Sequence, residues 1–175
     1  MPRRWRWLVP LSALMACLLC TGASAAPQPM SDVPTFVAND REDDMKLAEK
    51  RRARADEAKG VVKAATAQIG DGYAWGGMGP DGFDCSGLTA FAFADAGVGL
   101  PHNSHGQAAM GRPVDRKDIQ RGDLVFFSTA GPGASHVGIA TSATTAVSAT
   151  NSGVMEHPTT DAYWGGHYVG ARRIL

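Results

Sequence analysis

The sequence predicts an α+β domain in which helices come first and a central antiparallel β-sheet follows. Apolar residues recur at helical spacing between residues 61 and 69, and again between residues 88 and 97. The second half instead breaks into short apolar runs that turn residues separate, which is typical of antiparallel strands. These runs cover residues 124–127, 137–141, 146–149, 154–157 and 168–174.

The first 25 residues have the features of a secretory signal peptide. Three arginines precede an apolar run over residues 8–20, and the small residues 23–25 offer a cleavage site. Pro10 interrupts this run, which is also shorter than the roughly twenty residues of a membrane-spanning helix. We therefore expect a mature chain from about Ala26 onward, secreted or associated with the cell wall and without stable membrane insertion.

Cysteine usage adds a second interpretation of this segment. Cys17 stands where a lipoprotein signal would be cleaved and acylated, but the apolar run continues beyond it, so a freely exported protein is preferred. Cleavage removes Cys17 and Cys20 and leaves Cys85 alone in a compartment where cysteines usually pair. Cys85 is then either a small buried hydrophobe or a reactive thiol.

Length and charge limit the number of domains and the kinds of partner that the sequence predicts. The 175 residues, 44% of them hydrophobic, suit one globular domain with a non-globular extension. The mature chain keeps fourteen basic and seventeen acidic residues, a net charge of −3, and nothing in it indicates nucleic-acid binding. Residues 26–59 read as a proline-containing linker and a charged helical stalk, so the folded domain is expected over residues 60–175.

Cys85 is the strongest candidate for a catalytic residue. It follows a glycine-rich loop and occupies the predicted first turn of a helix, where the helix dipole lowers a thiol pKa. The amide at that position also points to where an oxyanion develops after attack. Asp84 precedes it as a helix cap or a substrate contact, and Ser86 adds a second polar group.

A cysteine nucleophile needs a base, and His136 is the best placed of five histidines because it opens a predicted strand. The others are His102, His105, His157 and His167. Alternation along this strand puts Val137 and Ile139 towards the core and His136 on the opposite face, beside small residues that leave room for substrate. The alternative is a surface histidine without a role.

A third group normally orients the imidazole. If Val147 and Ala149 share the core face, Ser148 shares the face of His136. Asn151 lies at the end of the same strand and is chemically the stronger acceptor, although a plain turn residue is equally consistent with its position. The residues leave this choice open.

Several ordered motifs together resemble the NlpC-type peptidases, the papain-like endopeptidases of bacterial cell walls. The similarity covers about residues 61–175 and is far more specific than one cysteine and one histidine. It rests on YAWGG at 73–77, GPDGFDCSGL at 79–88, LPHNSHGQ at 100–107, RGDLVFF at 121–127, HVGI at 136–139 and the closing YVGARRI.

The resemblance implies a papain-like domain in which Cys85 attacks a peptide carbonyl and His136 moves the proton. The bond usually cleaved joins γ-linked D-glutamate to a diamino acid in peptidoglycan stem peptides. By the same resemblance the substrate contacts are Tyr73, Asp84, Ser86 and Ser104. The family's third catalytic position falls on Ser148, where relatives commonly carry His, Asn or Gln, and His102 stands where many carry arginine.

Two alternatives remain beside this interpretation. The same fold could act on another amide, as an amidase or a transferase, or the chain could bind the wall without catalysis, for which the serine at position 148 is the one argument. The chemistry requires no metal or cofactor: no HExxH spacing occurs, and the CxxC spacing of Cys17 and Cys20 lies within the predicted signal peptide. We expect a monomer whose partner is the peptidoglycan stem peptide.

Overall fold

The computed structural model describes residues 36–79 and 81–175 of the chain. The predicted signal peptide, its cysteines and the linker up to residue 35 lie outside these residues. No helix within the described ranges is both long enough and apolar enough to cross a membrane.

Four helices occur in the described part of the chain. They are α1 (Phe36–Thr66), α2 (Cys85–Ala94), α3 (Ser104–Ala108) and α4 (Ala162–Gly166). Helix α1 passes through Gly60 without a break, so the charged stalk and the first predicted helix of the domain are one element. A glycine costs a helix only about 1 kcal/mol, which neighbouring helix-forming residues offset. Val61, Val62 and Ala65 bury the last turns of α1 in the core.

The strands form a short hairpin and a six-stranded antiparallel sheet. The hairpin pairs β1 (Met78–Gly79) with β2 (Gly82–Phe83). The sheet contains β3 (Arg112–Val114), β4 (Leu124–Phe127), β5 (His136–Ala140), β6 (Thr145–Thr150), β7 (Gly153–Pro158) and β8 (Tyr168–Arg173), in the spatial order β3-β8-β4-β5-β6-β7. A single 3₁₀ turn, Arg116–Asp118, follows β3.

The predicted fold class is confirmed, since helices precede an antiparallel sheet whose five long strands fall on the five predicted runs. The hairpin and β3 had no comparable sequence signal. The hairpin strands have two residues each within a glycine-rich loop, and β3 has three residues with a proline at its centre.

The sheet is buried on both faces. Helices α1 and α2 pack on one face, where Leu124, Phe126, Val137 and Ile139 join the larger core cluster. A second cluster covers the other face; it contains Val114, Ile119, Val125, Phe127, Ala140, Ala146 and Ala171, with Trp164 and Tyr168 packed against it. All residues of β4 and β5 are therefore buried, whichever face they point to.

An ion pair between a partly buried arginine and a buried carboxylate joins β8 to the turn before β4. Arg173 donates from Nε to Oδ1 of Asp123 and from Nη2 to Oδ2, each at 2.7 Å. Asp123 is 1% exposed and also accepts the backbone N–H of Gln120 at 2.8 Å. Two of the sequence motifs, RGDLVFF and YVGARRI, thus contribute the two halves of one structural contact.

Replacing Arg173 by methionine should lower the free energy of unfolding by roughly 3–5 kcal/mol, because the Asp123 carboxylate stays buried without its cation. Urea denaturation measures this change. Arg172→Met on the same strand is the matched control, since Arg172 has no ion pair among the described contacts, and its loss should be well under half as large. Equal losses in the two variants would contradict a specific role for the pair.

Candidate active site

The Asp84 carboxylate starts helix α2 and fixes the loop beside it. Its Oδ1 accepts the backbone N–H of Gly87 at 2.7 Å and the hydroxyl of Ser86 at 3.0 Å. Its Oδ2 accepts the backbone N–H of Gly76 at 3.0 Å, and Nε2 of His102 lies 3.0 Å from both oxygens. These contacts are those of a helix cap that also anchors the glycine-rich loop.

Asp84 is held as an anion next to the thiol. Burial alone raises the pKa of its carboxyl group, but the hydrogen bonds from Gly87, Ser86 and His102 outweigh burial and leave the pKa below its ordinary value. A negative charge at a helix N-terminus is stabilising, so the cap remains ionised at neutral pH.

Two glycines let the loop approach the start of α2. A Cβ atom on Gly87 would lie 1.9 Å from the carbonyl oxygen of Gly77, and a Cβ on Gly77 would lie 2.4 Å from that of Gly82. The same Gly77 carbonyl accepts the backbone N–H of Asp84 at 3.0 Å. Only glycine fits at positions 77 and 87 while this hydrogen bond is kept.

The Cys85 thiol lies between the start of α2 and the start of β5. It is partly buried, and the backbone N–H groups of Val137, Ser86 and Cys85 itself are near enough to the sulfur to lower its pKa. Burial raises the pKa of Cys85, and the charge of Asp84 adds to this effect, while the three N–H groups offset part of it. The net direction is opposite to the lowering that a helix N-terminus alone predicts, because desolvation outweighs the dipole.

His136 is the first residue of β5 and precedes Val137, whose backbone N–H lowers the pKa of Cys85. Its ring lies 5.4 Å from that of Trp164 and 6.2 Å from that of Phe127, measured between centroids. Burial, and secondarily the nearby His157, lower the pKa of His136 to about 4. The expectation of an open, substrate-facing side at His136 is wrong, because Trp164 and the second core cluster cover that face.

Ser148 connects His136 to a second histidine. Nε2 of His136 lies 3.0 Å from Oγ of Ser148, and Nε2 of His157 lies 2.8 Å from the same oxygen. Nδ1 of His157 is 3.0 Å from the carbonyl oxygen of Pro158. The His136, Ser148 and His157 side chains and the Pro158 carbonyl thus form one continuous chain, and its three side chains are buried.

His157 is the site residue that sequence reasoning missed. It was one of five histidines and fell within a predicted strand, but its neighbours depend on register. In the β6–β7 ladder Ser148 pairs with Met155 and Ala146 pairs with His157, so Ser148 and His157 share a face on adjacent strands. The sequence pattern does not give the register of β6 and β7, and without it His157 could not be placed beside Ser148.

The other predicted site residues take different places. Asn151 lies in the exposed turn between β6 and β7 and has no described contact with His136. Ser86 and Ser104 are buried at the first turns of α2 and α3. Burial raises the pKa of Tyr73, with added contributions from Cys85 and Asp84, so Tyr73 lies close to the thiol. Trp75, in the same loop, is 91% exposed.

Sequence comparisons match this region to known proteins. The NlpC/P60 family profile matches residues 70–173, more than half of the chain. A probable endopeptidase of Corynebacterium glutamicum is 45% identical over 98 residues, which are 56% of this chain and 46% of that protein. The probable endopeptidase p60 of Listeria seeligeri is 39% identical over 114 residues, which are 65% of this chain and 22% of that protein. The chain thus spans less than half the length of these relatives.

Solved structures give the same result for the fold. The peptidoglycan hydrolase RipB of Mycobacterium tuberculosis has a TM-score of 0.62 and 32% identity, covering 71% of this chain and 68% of that one. An NlpC/P60 family protein from Bacillus cereus has a TM-score of 0.63 and 30% identity, covering 67% of this chain and 40% of that one.

The lowered pKa of His136 predicts acid-sensitive stability. Between pH 6.5 and about pH 4 the unfolded chain binds a proton at this position that the folded chain does not. The contribution of His136 to stability is therefore full above pH 6.5 and is lost as the pH falls to about 4, by up to about 3 kcal/mol. Urea unfolding at several pH values measures this loss.

His136→Gln should remove most of that pH dependence, leaving a smaller part from His157, whose pKa burial also lowers. His105→Gln, at an exposed position, is the control and should keep the full dependence. An unchanged slope in His136→Gln would contradict the assignment.

Proposed function

The chain belongs to the NlpC/P60 family, and from this premise we propose that it is a peptidoglycan endopeptidase that cleaves stem peptides with Cys85 as nucleophile and His136 as base. The observation that carries the proposal is the position of the thiol, at the start of a capped helix and against the amide that follows His136. The names of the relatives, probable endopeptidases and a peptidoglycan hydrolase, support the same reaction class.

The directions of the two pKa shifts define the resting state. Burial raises the pKa of Cys85 and lowers that of His136 to about 4, so at neutral pH the pair is an uncharged thiol and an uncharged imidazole. The Ser148 hydroxyl is the hydrogen-bond partner of His136 Nε2, which leaves Nδ1 available to the thiol. The thiolate then forms during attack, when His136 accepts the thiol proton.

The reaction proceeds in two stages. Sulfur attacks the carbonyl carbon of the scissile amide, the carbon–nitrogen bond breaks, and His136 returns the proton to the leaving amine. A water molecule, deprotonated by His136, then attacks the thioester and releases the carboxylate and the free thiol. The backbone N–H groups of Cys85 and Ser86, at the first turn of α2, are suited to stabilise the oxyanion in both stages.

We assign the substrate contacts as the resemblance implies. The bond is that between γ-linked D-glutamate and the diamino acid of a stem peptide. Tyr73 lies close to the thiol, and the ionised Asp84 suits a cationic amine at the N-terminal part of the stem. Ser86 and Ser104 shape the same region from the starts of α2 and α3. Export and a monomeric state complete the proposal.

Cys85→Ala should abolish release of muropeptide fragments, with a loss of at least about 1,000-fold, because no other group supplies the nucleophile. Mass spectrometry of wall digests by the purified protein identifies the bond. New termini at D-glutamate and the diamino acid support the proposal. Cleavage between sugar and peptide would instead identify an amidase, and binding without cleavage by the unmodified protein would identify a wall-binding protein.

Paired alanine substitutions test which residue serves His136. Ser148→Ala should lower kcat by about 10- to 100-fold, because it removes the hydrogen-bond partner of Nε2. Asn151→Ala, in an exposed turn, should stay within about two-fold of the unchanged protein. Steady-state kinetics on a purified muropeptide measures both, and the reverse ranking would transfer the orienting role to Asn151.

A further inference from the structure

We propose that His157 is a positioning residue that fixes, through the hydroxyl of Ser148, the tautomer of His136 that acts as the base. The inference rests on the proposed function for its kinetic consequences, but the tautomer itself is independent of activity. The observation behind it is the buried chain from His136 through Ser148 and His157 to the carbonyl of Pro158.

The direction of each hydrogen bond follows from the fixed end of the chain. A carbonyl oxygen only accepts, so Nδ1 of His157 carries the hydrogen that it donates to Pro158. In the neutral ring Nε2 is then an acceptor, and the Ser148 hydroxyl donates to it at 2.8 Å. Ser148 has only that one hydrogen, so at 3.0 Å it accepts from Nε2–H of His136.

These hydrogen-bond directions determine which ring nitrogen of His136 can accept a proton. A neutral His136 with its hydrogen on Nε2 has an unprotonated Nδ1, which is the nitrogen required to accept the thiol proton. The Pro158 carbonyl therefore determines, through two side chains, which nitrogen of His136 is basic. None of the three side chains is more than 8% exposed, so water does not substitute for a missing link without rearrangement.

The chain of hydrogen bonds through His157 explains how a serine can serve His136 at position 148. A carboxylate only accepts, and an amide oxygen does so too, so either partner would fix the tautomer directly. A hydroxyl can donate or accept with similar ease. Without a second partner, Ser148 would therefore be compatible with either tautomer of His136. His157 removes this ambiguity because it consumes the only hydrogen of Ser148.

Two aromatic side chains hold the ring of His157 in place, one stacked on its face and one in contact edge-on. Trp164 stacks on it with centroids 3.7 Å apart and an angle of 17° between the planes, and Phe127 contacts it edge-on at 5.9 Å. Trp164 is itself placed by Asp161, which caps α4 and accepts the Trp164 backbone N–H. A ring fixed in this way keeps its acceptor aimed at Ser148.

Protonation of His157 would reverse the chain, because both ring nitrogens would then donate. Burial lowers the pKa of His157, whereas the hydrogen bond to the Pro158 carbonyl and the charges of Asp161 and Glu156 raise it. A charge on His157 would also repel a charge on His136, which lies on β5 with β6 between the two strands. Burial outweighs these opposing contributions, so the net pKa of His157 is lowered. The neutral, correctly directed chain is therefore present at neutral pH and is lost in acid.

The direct test is the tautomer of His136 in Cys85→Ala protein labelled with ¹⁵N-histidine, read from long-range ¹H–¹⁵N correlation spectra at pH 7. We expect hydrogen on Nε2 of His136 and on Nδ1 of His157. Hydrogen on Nδ1 of His136 would overturn the proposal, whether or not the protein is a peptidase. This measurement needs no change at position 157, so it does not depend on how a variant folds.

The kinetic test compares His157→Gln with His157→Phe. Glutamine keeps an acceptor for Ser148 and should retain kcat within about five-fold, whereas phenylalanine keeps the stacking on Trp164 but no acceptor and should lower kcat by about 10- to 100-fold with KM little changed. In the spectra, the phenylalanine variant should show a mixture of His136 tautomers.

His167→Phe is the matched control, since Nδ1 of His167 also lies close to a carbonyl oxygen, that of Tyr163 at 2.7 Å, without contact to Ser148. It should leave kcat and the His136 tautomer unchanged. If His157→Phe had the kcat of the unmodified protein and the same His136 tautomer, the proposal would be overturned. Absence of activity in the unmodified protein, together with the expected tautomers, would overturn the proposed function alone.

Discussion

Because both faces of the six-stranded sheet are covered, each buried polar side chain on it needs a partner inside the protein. Among the described residues no buried side-chain nitrogen or oxygen lacks one. On the face that α4 covers, this requirement joins His136, Ser148 and His157 into one chain. A buried donor or acceptor left alone costs about 1–3 kcal/mol, so the chain is favoured by stability before any catalytic role is considered.

The same burial sets the electrostatics of the site. Desolvation disfavours a charged thiolate and a charged imidazolium alike, which raises the pKa of Cys85 and lowers that of His136. In the proposed mechanism, charge is therefore generated when substrate is attacked and is not present in the resting site. The backbone N–H groups near the sulfur favour its charged form, and in the proposed mechanism they would stabilise that charge as it develops.

Several motifs that link this chain to the NlpC/P60 family hold the structure together. The Asp84 of DCSG caps α2 and anchors the preceding loop, and Gln107 ties α3 to α2 by donating to the carbonyls of Ser86 and Pro101. Asp123 and Arg173 join two distant motifs in an ion pair. These motif residues therefore support the fold, whereas the proposed reaction depends on a few groups near one sulfur.

The sequence by itself determined the element order and five of the six strands of the main sheet, because these follow from local periodicity. It also predicted Cys85 and His136 as nucleophile and base, from residue chemistry and position in the predicted elements. Only the tertiary structure decided that Ser148 rather than Asn151 reaches His136, that His157 stands behind it, and that the thiol pKa rises. Those outcomes depend on strand register and on what covers each face of the sheet. Both arise from contacts between residues far apart in the chain, which local patterns do not encode.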